Sequence, residues 1–183
     1  MKQQFAARQW VPFPVKRVFA FFADPLNLPR LMPPALKTRI EEARLKEPPR
    51  FDSNEASDIS FANPHAGIGS EILISFCPFA VLPYRVRWMA RITEFVWNSH
   101  FCDEQVQGPF AFFRHRHGTV AEIRNGQKGT LVTDDIEFAM PLGAIGALAS
   151  AVVRSQLQRS FAARQMRLPK MLQSAANVPS TPA

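Results

Sequence analysis

FCDEQVQGPFAFFRHRH, residues 101–117, reads as two alternating runs joined at Gly108-Pro109. A period of two marks strands, and a Gly-Pro pair between them marks a tight reversal. With a two-residue loop the partners across this hairpin follow directly. Asp103 faces Arg114 as a cross-strand ion pair, while Glu104 meets Phe113, Cys102 meets His115 and His100 meets His117. Arg114 and Arg116 share one face; Phe113, His115 and His117 share the other. Arginine strongly prefers water. The histidine face is therefore expected inside, with His100, Cys102 and Glu104 on it.

The flanking runs extend this wall. Tyr84, Val86, Trp88, Ala90 and Ile92 alternate with Arg85, Arg87, Met89, Arg91 and Thr93, so the first set is expected inward. After the turn at 125–128, residues 129–140 put Val132, Ile136 and Phe138 on one face with Asp134 among them. A lone carboxylate on an apolar face needs a partner, and His115 or His117 is the natural one. A one-residue slip of register would reverse these facings.

Further strands are expected at residues 4–11, 36–45 and 70–76. Pro14 suits the start of a helix over Val15–Ala23, and Asp24-Pro25 caps and opens a second one to Leu31. Residues 46–67 are polar and Pro-containing, the mark of a functional flap or an irregular excursion. A last helix is expected over 144–168. Its first half, AIGALASAVV, is small and apolar; its second keeps a stripe of Val153, Leu157, Phe161 and Leu168. Residues 1–170 thus form one domain, and 171–183 are expected as a disordered tail. Strands in sequence with short loops give an antiparallel sheet, which one long helix must cover.

The 183 residues fit a single core. Sixteen Phe and 3 Trp against 1 Tyr favour dry burial, since Phe brings no hydroxyl that needs a partner. The net charge of +7 is concentrated late in the chain. Arg154, Arg159, Arg164, Arg167 and Lys170 follow the last acidic residue, Glu137, and read as a solvated helix face. The aromatics alternate in buried patterns and do not interleave with these cations, so nucleic acid is not an expected partner. No apolar run approaches the ~20 residues of a membrane-spanning helix. MKQQFAARQW is too polar for a secretory signal, and Cys77 and Cys102 read as free thiols, so a cytoplasmic protein is expected.

VPFPVKRVFAFFADPLNLPRLMPP at 11–34, FCDEQVQGPFAFFRHRH at 101–117 and GTLVTDDIEFAMPLG at 129–143 carry a resemblance. With the element order they resemble the SRPBCC superfamily, the START-related and birch-pollen-allergen-like helix-grip proteins. Within it the chain looks most like the bacterial polyketide cyclase/dehydrase-like, ligand-binding branch. The resemblance spans residues 4–168. It implies an α+β helix-grip fold, with a curved sheet of seven strands around the C-terminal helix and an apolar cavity between them. Members bind lipids, sterols, polyketides or hormones, and a minority catalyse cyclisation or dehydration.

The expected cavity wall comprises Tyr84, Trp88, Ala90, Cys102, Glu104, Phe113, His115, His117, Asp134 and Phe138, with Leu148 and Val152 from the helix. Three readings of its polar groups stay open. They satisfy one another and fix the sheet; or they orient the polar end of a bound apolar molecule; or a His–carboxylate pair among His115, His117, Asp134 and Glu104 performs acid–base chemistry. In the first these groups bind nothing, the second describes a carrier or sensor, and the third a cyclase or dehydratase. Zinc held by His100, Cys102, His115 and His117 has no spacing motif behind it, and neither metal nor cofactor is assigned. No phosphate-cradling loop or Gly-x-Ser-x-Gly elbow is present.

Overall fold

The structure, a computed structural model, describes residues 2–50, 65–78, 84–141 and 143–174, the side chains of 143–148 excepted. Its strands are β1 (Gln3–Val11), β2 (Arg39–Arg44), β3 (Glu71–Phe76), β4 (Val86–Val96), β5 (His100–Gln107), β6 (Phe112–Arg124) and β7 (Gln127–Ala139). Its helices are α1 (Val15–Ala23), α2 (Leu28–Leu31) and α3 (Gly143–Ser174). The strands form one antiparallel sheet in the order β1-β7-β6-β5-β4-β3-β2. Both short helices and α3 pack on its concave face.

Local chemistry explains the boundaries. Asp24 caps the turn after α1, its Oδ1 accepting from the Leu26 N–H at 2.9 Å. The β6–β7 reversal is tighter than the four residues expected. Arg124 pairs directly with Gln127, leaving Asn125 and Gly126 at φ of 50° and 76°. These two residue types tolerate the left-handed region that such a two-residue hairpin demands. That turn fixes the register of β7, and Asp134 pairs with His117 across it.

The β5–β6 register differs from the expected one by one residue. Gln105 folds back on the turn: its Nε2 donates to the Phe110 carbonyl at 2.8 Å and its Oε1 accepts the Phe110 N–H at 3.3 Å. The connection is thus wider than Gly108-Pro109 alone. Phe101 pairs with His117, Asp103 with His115, Cys102 with Arg116 and Glu104 with Arg114. The faces of β5 are consequently reversed. Asp103 points inward and does not pair with Arg114, while His100, Cys102 and Glu104 lie on the convex face.

α3 continues through Pro169 to Ser174. An internal proline leaves the carbonyl four residues earlier without its helical donor. Here that carbonyl belongs to Gln165, and the Gln9 Nε2 of β1 supplies the missing bond at 2.8 Å. Leu168 and Leu172 are fully buried with Val11, Val18, Phe21, Leu31 and Val132. Residues 171–174, expected in the tail, are therefore part of the helix. The expected stripe of Val153, Leu157, Phe161 and Leu168 does face the sheet. Residues 175–183, and 51–64 of the expected flap, lie outside the described residues.

β1 crosses close over the start of β7. A Cβ placed on buried Gly129 would lie 2.5 Å from the Val11 carbonyl oxygen and against the Trp10 ring. Backbone cannot yield as a side-chain tip does, so Gly129→Ala should lower stability by about 1–3 kcal/mol. Urea unfolding measures this, and an unchanged midpoint would contradict the close approach.

Candidate functional site

Three strands and one helix meet at the middle of the concave face. β6 contributes His115 and His117, β7 Asp134, β5 Asp103 and α3 Arg164. His115 Nε2 lies 3.0 Å from Asp134 Oδ1, and His117 Nε2 3.0 Å from Asp103 Oδ2. His117 Nδ1 is 3.2 Å from the same Asp134 oxygen, in ion-pair range but outside hydrogen-bond alignment. Arg164 Nη1 donates to Asp134 Oδ1 at 2.9 Å. Aromatic rings enclose the group. Phe101 stacks on His117 with centroids 4.3 Å apart, and Arg164 lies over the Phe22 ring at 4.5 Å and the Phe161 ring at 5.1 Å.

Burial alone would raise the Asp134 carboxyl, but Arg164 and the two imidazoles hold it well below the usual carboxylate range. Burial works against a charged His117, yet Asp103 and Asp134 together hold it above the ordinary imidazole value. For His115, burial and the neighbouring His117 charge prevail over Asp134 and push it down. The two rings, with centroids 3.7 Å apart, are thus pulled in opposite directions.

Of the residues expected on the wall, Trp88, Ala90, Phe113, His115, His117, Asp134 and Phe138 do face inward. Trp88 packs edge-on against Phe113 at 4.4 Å and beside Phe110 at 5.8 Å. Four expectations are corrected. Tyr84 precedes the first residue of β4, so the strand alternation does not reach it, and it is 64% exposed. Cys102 and Glu104 face away through the shifted register. There burial pushes the Cys102 thiol up to about 11, and Glu104 pairs with Arg114 at 3.4 Å. Val152 is 58% exposed, because one residue is a 100° step on a helix and Val153 takes the packed position. The Leu148 side chain lies outside those described.

Two residues of the cluster escape the sequence reading. The shifted register hides Asp103. Arg164 groups by charge with the solvated cations, although its position argues otherwise. It stands three residues after Phe161 and four before Leu168, inside the apolar stripe. A cation there requires a buried partner. An open groove of about 510 Å³, lined by Arg44, Leu45, Lys46, Gly69, Glu71 and Arg91, shares none of these residues.

No family model matches the sequence, and no curated protein matches it. Solved structures do. TTHA0849 from Thermus thermophilus aligns with a TM-score of 0.64 at 16% identity, over 96% of this chain and 100% of that one. The ZhuI aromatase/cyclase from Streptomyces sp. R1128 aligns with a TM-score of 0.64 at 11% identity, over 100% of both chains. A START superfamily protein from Mycobacterium smegmatis aligns with a TM-score of 0.57 at 12% identity, over 92% of this chain and 98% of that one. The chain has the helix-grip fold of the SRPBCC and START-related proteins. Among the described residues no helix is long and apolar enough to cross a membrane.

Proposed function

We propose that this protein binds an apolar small molecule between the sheet and α3, as a carrier or sensor. The observation that carries the reading is the composition of the concave face. Trp88, Phe113, Ile136, Phe138, Leu157 and Phe161 pack together as an apolar and aromatic cluster. It is interrupted by one compact polar group, His115, His117, Asp103, Asp134 and Arg164. Small-molecule sites combine these features, with apolar walls for affinity and a few convergent polar groups for orientation. A lipid or polyketide with a single oxygenated end matches that division.

Native mass spectrometry of the purified protein, with denaturing extraction, tests this. A stoichiometric apolar molecule is the expected result. Ala90 is buried on the concave face between Ile72 and Gln105. Ala90→Trp should weaken uptake of that molecule at least about tenfold, or ~1.4 kcal/mol. A folded Ala90→Trp variant with full uptake, or a protein that arrives empty and ignores a panel of apolar probes, would sink the reading.

The His115–Asp134 contact favours a second reading, a cyclase or dehydratase in which Asp134 orients His115 as the base. His115→Asn should then preserve affinity and remove turnover. Equal loss of both leaves binding alone.

A further inference from the structure

The reversed register of β5 creates a donor set that the sequence did not reveal. Asp103 Oδ2 lies 3.0 Å from His117 Nε2 and 3.9 Å from His115 Nδ1. One ligand atom from each of Asp103, His115 and His117 lies within 4.8 Å of the other two. A tetrahedral ion with bonds of ~2.0 Å requires donor separations of ~3.3 Å. The separations of 3.0 and 3.9 Å from Asp103 bracket that value.

The remaining nitrogens are arranged to match. Asp134 Oδ1 lies 3.0 Å from His115 Nε2 and 3.2 Å from His117 Nδ1. Asp134 is hydrogen-bonded to His115 Nε2 and stands within ion-pair range of His117 Nδ1, so it contacts both rings through the nitrogens that do not face Asp103. Metal-bound imidazoles are oriented by such a carboxylate. Arg164, 2.9 Å from Asp134, fixes that carboxylate in turn. All five side chains are largely buried, between 5% and 16% exposed.

We propose that Asp103, His115 and His117 form a three-ligand site for a transition-metal dication, with Asp134 as the positioning residue that aims both imidazoles. Two nitrogens and one carboxylate oxygen suit zinc or ferrous iron and leave a coordination position open for an oxygen donor. The inference goes beyond the apolar-ligand reading and does not rest on it.

The test uses the untagged full-length protein, stripped with a chelator and titrated with Zn²⁺ by calorimetry and with Co²⁺ by visible absorption. One ion per chain is expected. Asp103→Asn and His117→Gln should each weaken Zn²⁺ binding by at least about 100-fold, and Asp134→Asn, which touches no metal, by about 10–100-fold. His100→Gln, on the convex face, should leave affinity unchanged. Where a variant fails to fold, ring resonances of the wild-type histidines decide. Zn²⁺ should shift His115 and His117 and leave His100 unmoved. Absence of one-to-one binding, a shift confined to other histidines, or full affinity in folded Asp103→Asn and His117→Gln would each overturn the proposal. Apolar uptake is measured on the same stripped protein, so failure of either idea is read separately.

Discussion

Arg164→Met should destabilise the protein by about 3–5 kcal/mol, far more than loss of any surface arginine. The guanidinium is buried between the Phe22 and Phe161 rings and donates to Asp134 Oδ1 at 2.9 Å. Methionine fills much of the stem's volume, so the loss is chiefly electrostatic: a carboxylate 5% exposed keeps its charge and loses its cation. Asp134→Leu is expected to show a loss of similar size, since it strands the same cation and removes a partner from His115. The double variant separates the pair from its surroundings. Because each single change leaves an unpaired charge, the two losses should fall short of additivity by at least about 1 kcal/mol. Urea unfolding of the four proteins in a cycle measures this. Additive losses would mean that Arg164 and Asp134 act independently despite their contact. The exposed Arg124, paired with Glu122 at the hairpin end, provides the comparison, and Arg124→Met should cost less than about 0.5 kcal/mol.

The same cluster defines what sequence alone can reach. The seven strands, two short helices and terminal helix were all legible, because alternation, Asp24-Pro25 and the Val153–Leu168 stripe are local signals. The His–Asp134 pairing was legible too. It needed only the idea that a carboxylate on an apolar face must find a partner, and Asn125-Gly126 then fixed the register. The β5 facing was not legible. It depends on Gln105 reaching both polar backbone groups of Phe110, a side-chain bond no alternation encodes. One residue of slip then sent Asp103 outward and Cys102 and Glu104 inward on paper. The end of α3 was not legible either: the helix expected to 168 runs on through Pro169, where Gln9, on a strand far earlier in the chain, bonds the freed Gln165 carbonyl. Contacts by single polar side chains decided both of these misses.

Phe19→Ala should cost about 3–5 kcal/mol, comparable with the buried ion pair but through a different cause. Phe19 is one of the residues by which α1 packs on the sheet. Its ring is 1% exposed, lies edge-on to Phe95 at 5.3 Å and to Phe101 at 6.0 Å, and tilts against Trp97 at 5.7 Å. Truncation removes the transfer energy of the ring and leaves a void that three rigid aromatic neighbours cannot fill by turning. Leu26, on the exposed turn after α1, sets the scale: Leu26→Ala should change stability by less than about 0.5 kcal/mol. The consequence reaches the site. Phe101 stacks on His117, and Phe22 of the same helix lies 6.4 Å from that ring and against Arg164. Phe19→Leu, which retains part of the volume, should therefore lose less stability than Phe19→Ala and keep the His117 ring resonance closer to wild type. A loss below about 1.5 kcal/mol for Phe19→Ala would mean that α1 is held by Val18 and Phe21 alone. The aromatic bridge from α1 through Phe101 to His117 would then contribute little to holding the cluster in place.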